Sequence, residues 1–178
     1  RKIMVASSFS NPDDIHMLKD MEVKCIQGDL SSEAFLNTLP DAPLVVYMMG
    51  YKFGSGKEYR RTFHLNSIVP YLVGRKYARS KIVVFSSGNP YPHSYWLGSG
   101  CKETEPLDPK GVYGWSIVAR EGSFSTTALK NNEQKLCFFR LMYAQHLQYG
   151  VLVDLAKLVY NDEPVSLKMP AVNLVSQR

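Results

Sequence analysis

The chain has 178 residues, a formal net charge of +5 and a sequence pI near 9.1. Hydrophobic residues make up 45% of it and charged residues 21%, which is typical of a folded globular domain and excludes a disordered chain. No apolar run approaches the roughly 20 residues of a membrane-spanning helix, so we expect no membrane association. The length predicts one domain.

The positive charge does not predict a nucleic-acid partner. Cations cluster only at residues 57–61 and 75–81, on one predicted helical stretch whose other face is apolar. We interpret them as a solvated helix face, with a field for an anionic cofactor as the alternative. Cys25, Cys101 and Cys137 have no metal-binding spacing, so we expect no metal, and thiols of this kind are typical of the reducing cytoplasm.

Strand and helix patterns alternate along the chain. Strands are predicted at residues 3–6, 22–27, 44–49, 82–87 and 136–141. Helices are predicted up to residue 21 and at 30–39, 56–79 (kinked at Pro70), 112–130 and 149–161. This alternation predicts an α/β fold with a doubly wound, mostly parallel sheet and helices on both faces. Ligands of such sheets bind beyond the carboxyl ends of the strands, so residues there are the candidates for a site.

Hydroxyl groups at one strand end suggest acid–base chemistry. The strand at 82–87 ends in Ser86 and Ser87, and Tyr113 follows 26 positions after Ser87, at the start of a predicted helix. In that arrangement Ser87 positions a substrate oxygen and Tyr113 exchanges a proton with it. The alternatives are a turn serine before Gly88 and an ordinary aromatic residue of an amphipathic helix.

Other strand ends carry further candidates. Asp29 follows the second strand and either caps the next helix or binds a ligand; one carboxylate can do both. Gly50 follows the third strand, where a small residue lets the backbone approach a ligand closely. Asn66 is a poor helix former inside an apolar stretch, which predicts a buried hydrogen-bonding role.

From residue 23 to about 149 the chain resembles the NAD-dependent epimerase/dehydratase family of extended short-chain dehydrogenases/reductases, chiefly through Ser87, Tyr113 and Arg140. The resemblance implies a Rossmann-like domain, a cofactor that is NAD or NADP, a nucleotide-sugar or related polyol as small-molecule substrate, and a homodimer formed through residues 56–79 and 112–130. It implies cofactor contacts from Asp29, Leu30, Met49, Gly50, Tyr51, Asn66, Ser86 and Tyr113, and substrate contacts from Ser87, Asn89, Tyr91 and Met142. The lack of an acid at Ala6, Ser7 or Ser8 favours NADP.

The chain departs from the family at two points. Ile117 stands where the family carries a lysine four residues after the tyrosine, and residues 1–43 contain no glycine-rich phosphate loop. A free tyrosine ionises near pH 10 and needs a nearby cation to act at neutral pH, whereas Arg120 is two helical turns from Tyr113 and expected to be out of reach.

These departures leave two hypotheses. One is an enzyme of the epimerase/dehydratase type, with a single domain over residues 1–178 that is incomplete at its N-terminus and in which about 145–178 begin a substrate-binding lobe. The other is a catalytically silent scaffold that serves dinucleotide sensing or protein interaction, which Ile117 favours.

Overall fold

A computed structural model describes residues 2–52, 54–92, 98–167 and 172–176. Seven strands are present there: β1 Met4–Ser7, β2 Lys24–Gln27, β3 Leu44–Tyr47, β4 Lys81–Ser87, β5 Lys135–Leu141, β6 Tyr143–Gln145 and β7 Leu174–Ser176. The α-helices are α1 Pro12–Asp20, α2 Glu33–Thr38, α3 Tyr59–Phe63, α4 Val69–Lys76, α5 Gly111–Leu129 and α6 Val151–Tyr160. The five predicted strands are confirmed to within a few residues, whereas β6 and β7 were not predicted.

Every strand pair is parallel, which confirms the predicted fold class. β1 pairs with β2, β3 and β5 flank β4, and β6 pairs with β7. The hydrogen bonding differs from the single sheet that the sequence predicted, because no ladder joins these three groups within the residues described above. Ala6 of β1 and Ile26 of β2 nevertheless pack against the core that β3 and β4 form with the helices.

The core lies on one face of the β3–β4–β5 sheet. It consists of buried, largely apolar side chains from α2 and the residue after it, and from β3, α4, β4 and α5: Leu36, Leu39, Tyr47, Val69, Val73, Ile82, Val84 and Phe124. Alternate residues of β4 are buried there, as the two-residue period of a strand requires. The helices on this face therefore pack against the central strands of the sheet.

The opposite face of this sheet is open in the described part of the chain. Val46, Met48, Val83 and Phe139 are exposed by 60%, 69%, 37% and 48%, although they continue the apolar pattern of their strands. Val46 lies beside Val83 in the strand register. We call these four residues the open sheet face.

The helix predicted at residues 56–79 is divided into three segments. Between α3 and α4 lies a π-helical turn, His64–Ile68, which ends with a hydrogen bond from the Val69 amide to the His64 carbonyl. Pro70 follows at once and has no amide hydrogen to donate to the carbonyl four residues before it. The α-helical hydrogen-bond pattern is therefore interrupted before Pro70, at residues 64–68, and not at Pro70 as predicted. The widened turn contains Asn66. Such turns often occur at functional sites.

Two absences hold within the residues that the structure describes. No helix there is long and apolar enough to span a membrane. No group of three or more histidine, cysteine or acidic side chains in those ranges is arranged to hold a metal ion.

Candidate active site at the strand ends

Parallel pairing brings the predicted site residues of β4 and β5 to one edge of the sheet. Ser86 lies beside Arg140, and Ser87 beside Leu141. Met142 follows directly: a side chain placed at Gly88 would come within 2.2 Å of the Met142 sulfur. The substrate candidates Ser87 and Met142 therefore lie on neighbouring strand ends, with a glycine between them that leaves room for the thioether.

Ser87 and Tyr113 lie on elements that flank this edge. The half-buried Ser87 hydroxyl donates to the Asn89 side-chain oxygen at 2.7 Å, and the Asn89 amide donates back to it at 3.3 Å. Tyr113 is half-buried in the first turn of α5. Among the described residues no hydrogen bond joins the two hydroxyls. Both remain available to a substrate oxygen, because each retains partial exposure.

Ser86 belongs to a buried polar cluster of its own. Its hydroxyl donates to the carboxylate of Glu121 on α5, which also receives hydrogen bonds from Arg140 Nε at 3.0 Å and Nη2 at 2.7 Å. The Arg140 guanidinium lies over the ring of Tyr91, 4.8 Å from its centroid. Glu121 is only 7% exposed. The cluster fixes α5 against β4 and β5, and sequence reasoning missed Glu121, although its place eight residues after Tyr113 puts it on the sheet-facing side of the helix.

Asn66 acts on the site through Tyr51. It is fully buried, its Nδ2 group donates to the Tyr51 carbonyl and to Ser116 Oγ, both at 2.9 Å, and its Oδ1 accepts from the Tyr51 amide at 2.8 Å. The two hydrogen bonds to the Tyr51 amide and carbonyl hold the backbone that follows β3, as the backbone of a neighbouring strand would. The predicted buried role is therefore present, and the described contacts use every hydrogen of its amide.

Tyr51 is anchored at both ends. Its hydroxyl donates to the Glu58 carboxylate, which raises the pKa of Tyr51, and Arg61 lies 5.0 Å from its ring centroid. Met49, which precedes it by two positions, packs partly buried against the core. The segment that follows β3 is thus held firmly beside the site.

Asp29 stabilises the turn after β2. Its Oδ1 accepts from the Ser31 hydroxyl at 2.7 Å and from the Ser31 amide at 2.9 Å, and these hydrogen bonds lower the pKa of the fully exposed carboxyl group. Ser32, not Asp29, caps α2, by accepting from the Phe35 amide. The adjacent Leu30 packs against the core. The predicted helix-capping role of Asp29 is therefore wrong, because its carboxylate bonds to Ser31 in the turn instead, and the ligand-binding role stays a prediction.

The glycines at two strand ends are explained by protein packing. A Cβ atom at Gly28 would come within 2.2 Å of the Phe35 ring, and one at Gly50 within 2.3 Å of Arg120 Nη2. The sequence predicted that Gly50 lets a ligand approach the backbone. The structure supplies a different reason, because the guanidinium of Arg120 occupies that space.

A dinucleotide is compatible with only part of this edge. The half-buried hydroxyls of Ser87 and Tyr113 suit a nicotinamide and its substrate, whereas a pyrophosphate needs a run of backbone amides such as a glycine-rich loop provides. The described residues contain no such loop. The observed residues therefore fit the reacting end of the cofactor.

The fold and the hydroxyl-bearing strand edge define an α/β protein of the Rossmann type. Pal from Bacillus thuringiensis has this fold. The superposition covers 99% of this chain and 62% of the Pal chain, with a TM-score of 0.82 and 17% sequence identity. WbmG from Bordetella bronchiseptica was solved in complex with NAD. Its superposition covers 99% of this chain and 57% of the WbmG chain, with a TM-score of 0.77 and 13% sequence identity. The superposition with the UDP-Glc/GlcNAc 4-epimerase from Campylobacter jejuni covers 80% of this chain and 46% of the epimerase chain, with a TM-score of 0.71 and 19% sequence identity.

These similarities establish the fold, which this chain shares with that epimerase and with a short-chain dehydrogenase/reductase superfamily protein from Agrobacterium tumefaciens. No protein-family model matches the sequence, and no curated protein matches it. The chain spans less than two thirds of the length of the three proteins above.

Proposed function

We propose that the chain is part of an NAD- or NADP-dependent enzyme of the epimerase/dehydratase type, acting on a nucleotide-sugar or a related polyol. The observation that carries the proposal is the placement of Ser87 and Tyr113 around the carboxyl edge of a parallel sheet, in a fold shared with a UDP-sugar epimerase and with a protein solved with NAD. One fold can support many unrelated activities, so the proposal depends on these two side chains and not on the fold.

The two hydroxyls have different roles in the proposed reaction. Ser87 donates its one hydroxyl hydrogen to the reacting substrate oxygen in place of Asn89 Oδ1, and the Asn89 backbone amide, which donates to Ser87 Oγ at 3.3 Å, would keep the hydroxyl oriented. Tyr113 exchanges the proton of that oxygen. The nicotinamide ring, when bound, supplies hydride acceptance and return. Tyr91 and Met142 would line the substrate side of the same edge.

The cofactor would lie along the ends of β2, β3 and β4. The proposed contacts come from the segments that follow these strands and from the helices beside them: Asp29, Leu30, Met49, Gly50, Tyr51, Asn66, Ser86 and Tyr113. Asn66 would act by holding the Tyr51 backbone, and Ser86 by its bond to the Glu121 carboxylate, because their polar groups already bond to protein atoms. We keep residues 1–178 as a single Rossmann-like domain, in which about 145–178 begin the substrate-binding lobe.

The first test is binding. Calorimetric titration with NAD, with NADP and with UDP-glucose as the nucleotide-sugar probe should show saturable heat for one dinucleotide. Absence of binding by both dinucleotides at millimolar concentration would overturn the dinucleotide proposal. Binding of a dinucleotide with no conversion of any sugar nucleotide would favour the silent scaffold instead.

The second test is turnover. Tyr113→Phe and Ser87→Ala should each lower kcat by about 10²- to 10⁴-fold, as expected for loss of a proton-transfer or orienting group. Tyr160→Phe is the matched control, because Tyr160 is 89% exposed on α6, and it should leave kcat unchanged. Full turnover in Tyr113→Phe would show that the tyrosine is not the proton donor.

We also propose a homodimer and a cytoplasmic location. Phe63, Ile68 and Trp115, on α3, the π-helical turn and α5, are exposed by 36%, 52% and 57%, which is consistent with a helical dimer seam. Cys25, Cys101 and Cys137 are free thiols, which suits a reducing compartment. Sedimentation equilibrium tests the dimer, and Trp115→Glu should shift the chain to monomer if the seam is correct.

A further inference from the structure

The Arg140 guanidinium is held in one orientation at the carboxyl edge of the sheet. Arg140 lies in β5 beside Ser86 of β4, and its Nε and Nη2 groups donate to the Glu121 carboxylate at 3.0 and 2.7 Å. A two-pronged bond of this kind fixes the plane of a guanidinium as well as its position. The Ser86 hydroxyl donates to the same carboxylate, so Glu121 is itself fixed from β4.

The ring of Tyr91 lies against this guanidinium. The Arg140 Cζ atom is 4.8 Å from the ring centroid, within the distance over which a guanidinium and an aromatic face attract each other. Tyr91 is half-buried and lies four residues beyond Ser87, the last residue of β4. Only 18% of the Arg140 side chain is exposed, so water competes little for the guanidinium. The contact therefore ties the segment after β4 to the side chain of β5.

Residues 87–91 form a turn, which we call the Ser87 turn. Three backbone amides in it donate hydrogen bonds: Gly88 to the Leu141 carbonyl at 3.1 Å, Asn89 to Ser87 Oγ at 3.3 Å, and Tyr91 to the Gly88 carbonyl at 3.0 Å. The first of these bonds joins the start of the turn to β5. The other two are internal, so they give the turn its shape without attaching its far end to the sheet.

The far end of the Ser87 turn is held by two contacts. Pro90 is fully buried, and its carbonyl accepts from the Asp108 amide at 2.9 Å, which is a bond to the loop that leads into α5. The second contact is the stack of Tyr91 on Arg140, which attaches the turn to the strands. Because Ser87 begins this turn and Tyr91 ends it, the position of the ring constrains the residues between them.

We propose that Arg140 is a positioning residue for the Ser87 turn: its guanidinium, fixed by Glu121, holds the Tyr91 ring and so keeps Ser87 and Asn89 in the arrangement that the proposed reaction requires. The inference rests on the proposed function for its purpose. Its physical content, the dependence of the turn on the stack, is measurable without cofactor or substrate.

Amide hydrogen exchange, measured by NMR on the 178-residue chain, follows the order of the turn through the amides of Gly88, Asn89 and residue 91. Tyr91→Leu removes the ring, and these amides should then exchange about three- to thirtyfold faster, as expected for loss of a cation–π contact. Tyr91→Phe keeps the ring and should stay within about twofold of the unmodified chain. The Leu36 amide, which is bonded within α2, serves as the internal control and should be unchanged in both variants.

A double-mutant cycle assigns the effect to the guanidinium. In an Arg140→Met background, Tyr91→Leu should accelerate exchange by less than about twofold, because no cation is left for the ring to contact. If Arg140→Met does not fold, Arg140→Met combined with Glu121→Leu replaces the whole ion pair by apolar side chains, which proteins often tolerate, and the same expectation holds there. Unaltered exchange in Tyr91→Leu, equal acceleration in Tyr91→Phe, or full acceleration in the background without the guanidinium overturns the proposal.

Turnover tests the purpose of the stack. Tyr91→Leu should lower kcat with UDP-glucose by about tenfold or more, because a small displacement of an orienting group is costly in rate, and Tyr91→Phe should restore it. KM, which loss of a substrate contact would raise, should change by less than about threefold. Faster exchange with an unchanged kcat would overturn the positioning role. A failure to bind NAD or NADP would refute the proposed function but leave the exchange result intact.

Discussion

The cluster of Ser86, Glu121 and Arg140 makes a quantitative prediction about stability. In Glu121→Gln the shape is kept, but the amide places hydrogens against the Arg140 guanidinium and leaves that cation without its partner. Removing one member of a buried ion pair costs about 3–5 kcal/mol. Because the Arg140 side chain retains 18% exposure, we expect the lower end, about 3 kcal/mol. For a chain of this length that corresponds to a fall in Tm of roughly 6–12 °C.

Urea denaturation monitored by circular dichroism is the assay. The matched control is Glu33→Gln, which removes an exposed pair with Arg75 at 3.8 Å and should change the free energy of unfolding by less than about 0.5 kcal/mol. Arg140→Met completes a double-mutant cycle with Glu121→Gln, and its coupling energy should exceed about 1 kcal/mol. Equal losses in Glu121→Gln and Glu33→Gln would refute the reasoning.

Three further changes have defined expectations. Tyr47→Phe should raise the free energy of unfolding by about 1 kcal/mol in urea denaturation, because the Tyr47 hydroxyl is buried without a partner. Burial also raises the pKa of Tyr47, so the unmodified chain should lose stability as pH rises above about 10, and the variant should lose less, because the raised pKa values of Tyr51 and Tyr77 remain. Gly50→Ala should cost about 1–3 kcal/mol by displacing Arg120, whereas Gly56→Ala, with open space around it, should be neutral or stabilising in the same assay. Since hydrogen bonds from Ser31 lower the pKa of Asp29, thermal melts of Asp29→Asn should lack the part of the acid destabilisation that begins as pH falls below about 3.9.

The order of strands and helices was predictable because apolar runs and turn residues mark these elements locally. Asn11 and Ser32 each cap a helix with the type of side chain that this position favours, although the sequence offered Asp29 as the cap of the second helix. The π-helical turn was not predictable. It results from competition between the missing amide hydrogen of Pro70 and the bonds that Asn66 makes to Tyr51, fifteen residues away in sequence.

The candidate site was predictable only in part. Strand-end position identified Ser87, because parallel strands end at a common edge whatever their partners are. The contact between Arg120 and Asn66 was hidden, because the two residues are 54 positions apart in sequence and meet only where α5 packs against the π-helical turn. The gap that Gly50 leaves for that guanidinium is likewise visible only in three dimensions.

The open sheet face has a practical consequence for work with this polypeptide. Within the described part of the chain, β3 pairs only with β4, so one side of its backbone is unpaired as well. Residues 44–49 form an uncharged, apolar hexamer without proline, and short segments of that composition readily stack into cross-β assemblies when their edges are free. Concentrated solutions of the isolated 178-residue polypeptide should therefore self-associate through β3, and a charged residue at Val46, which points outward from the core, is the substitution that should keep it dispersed.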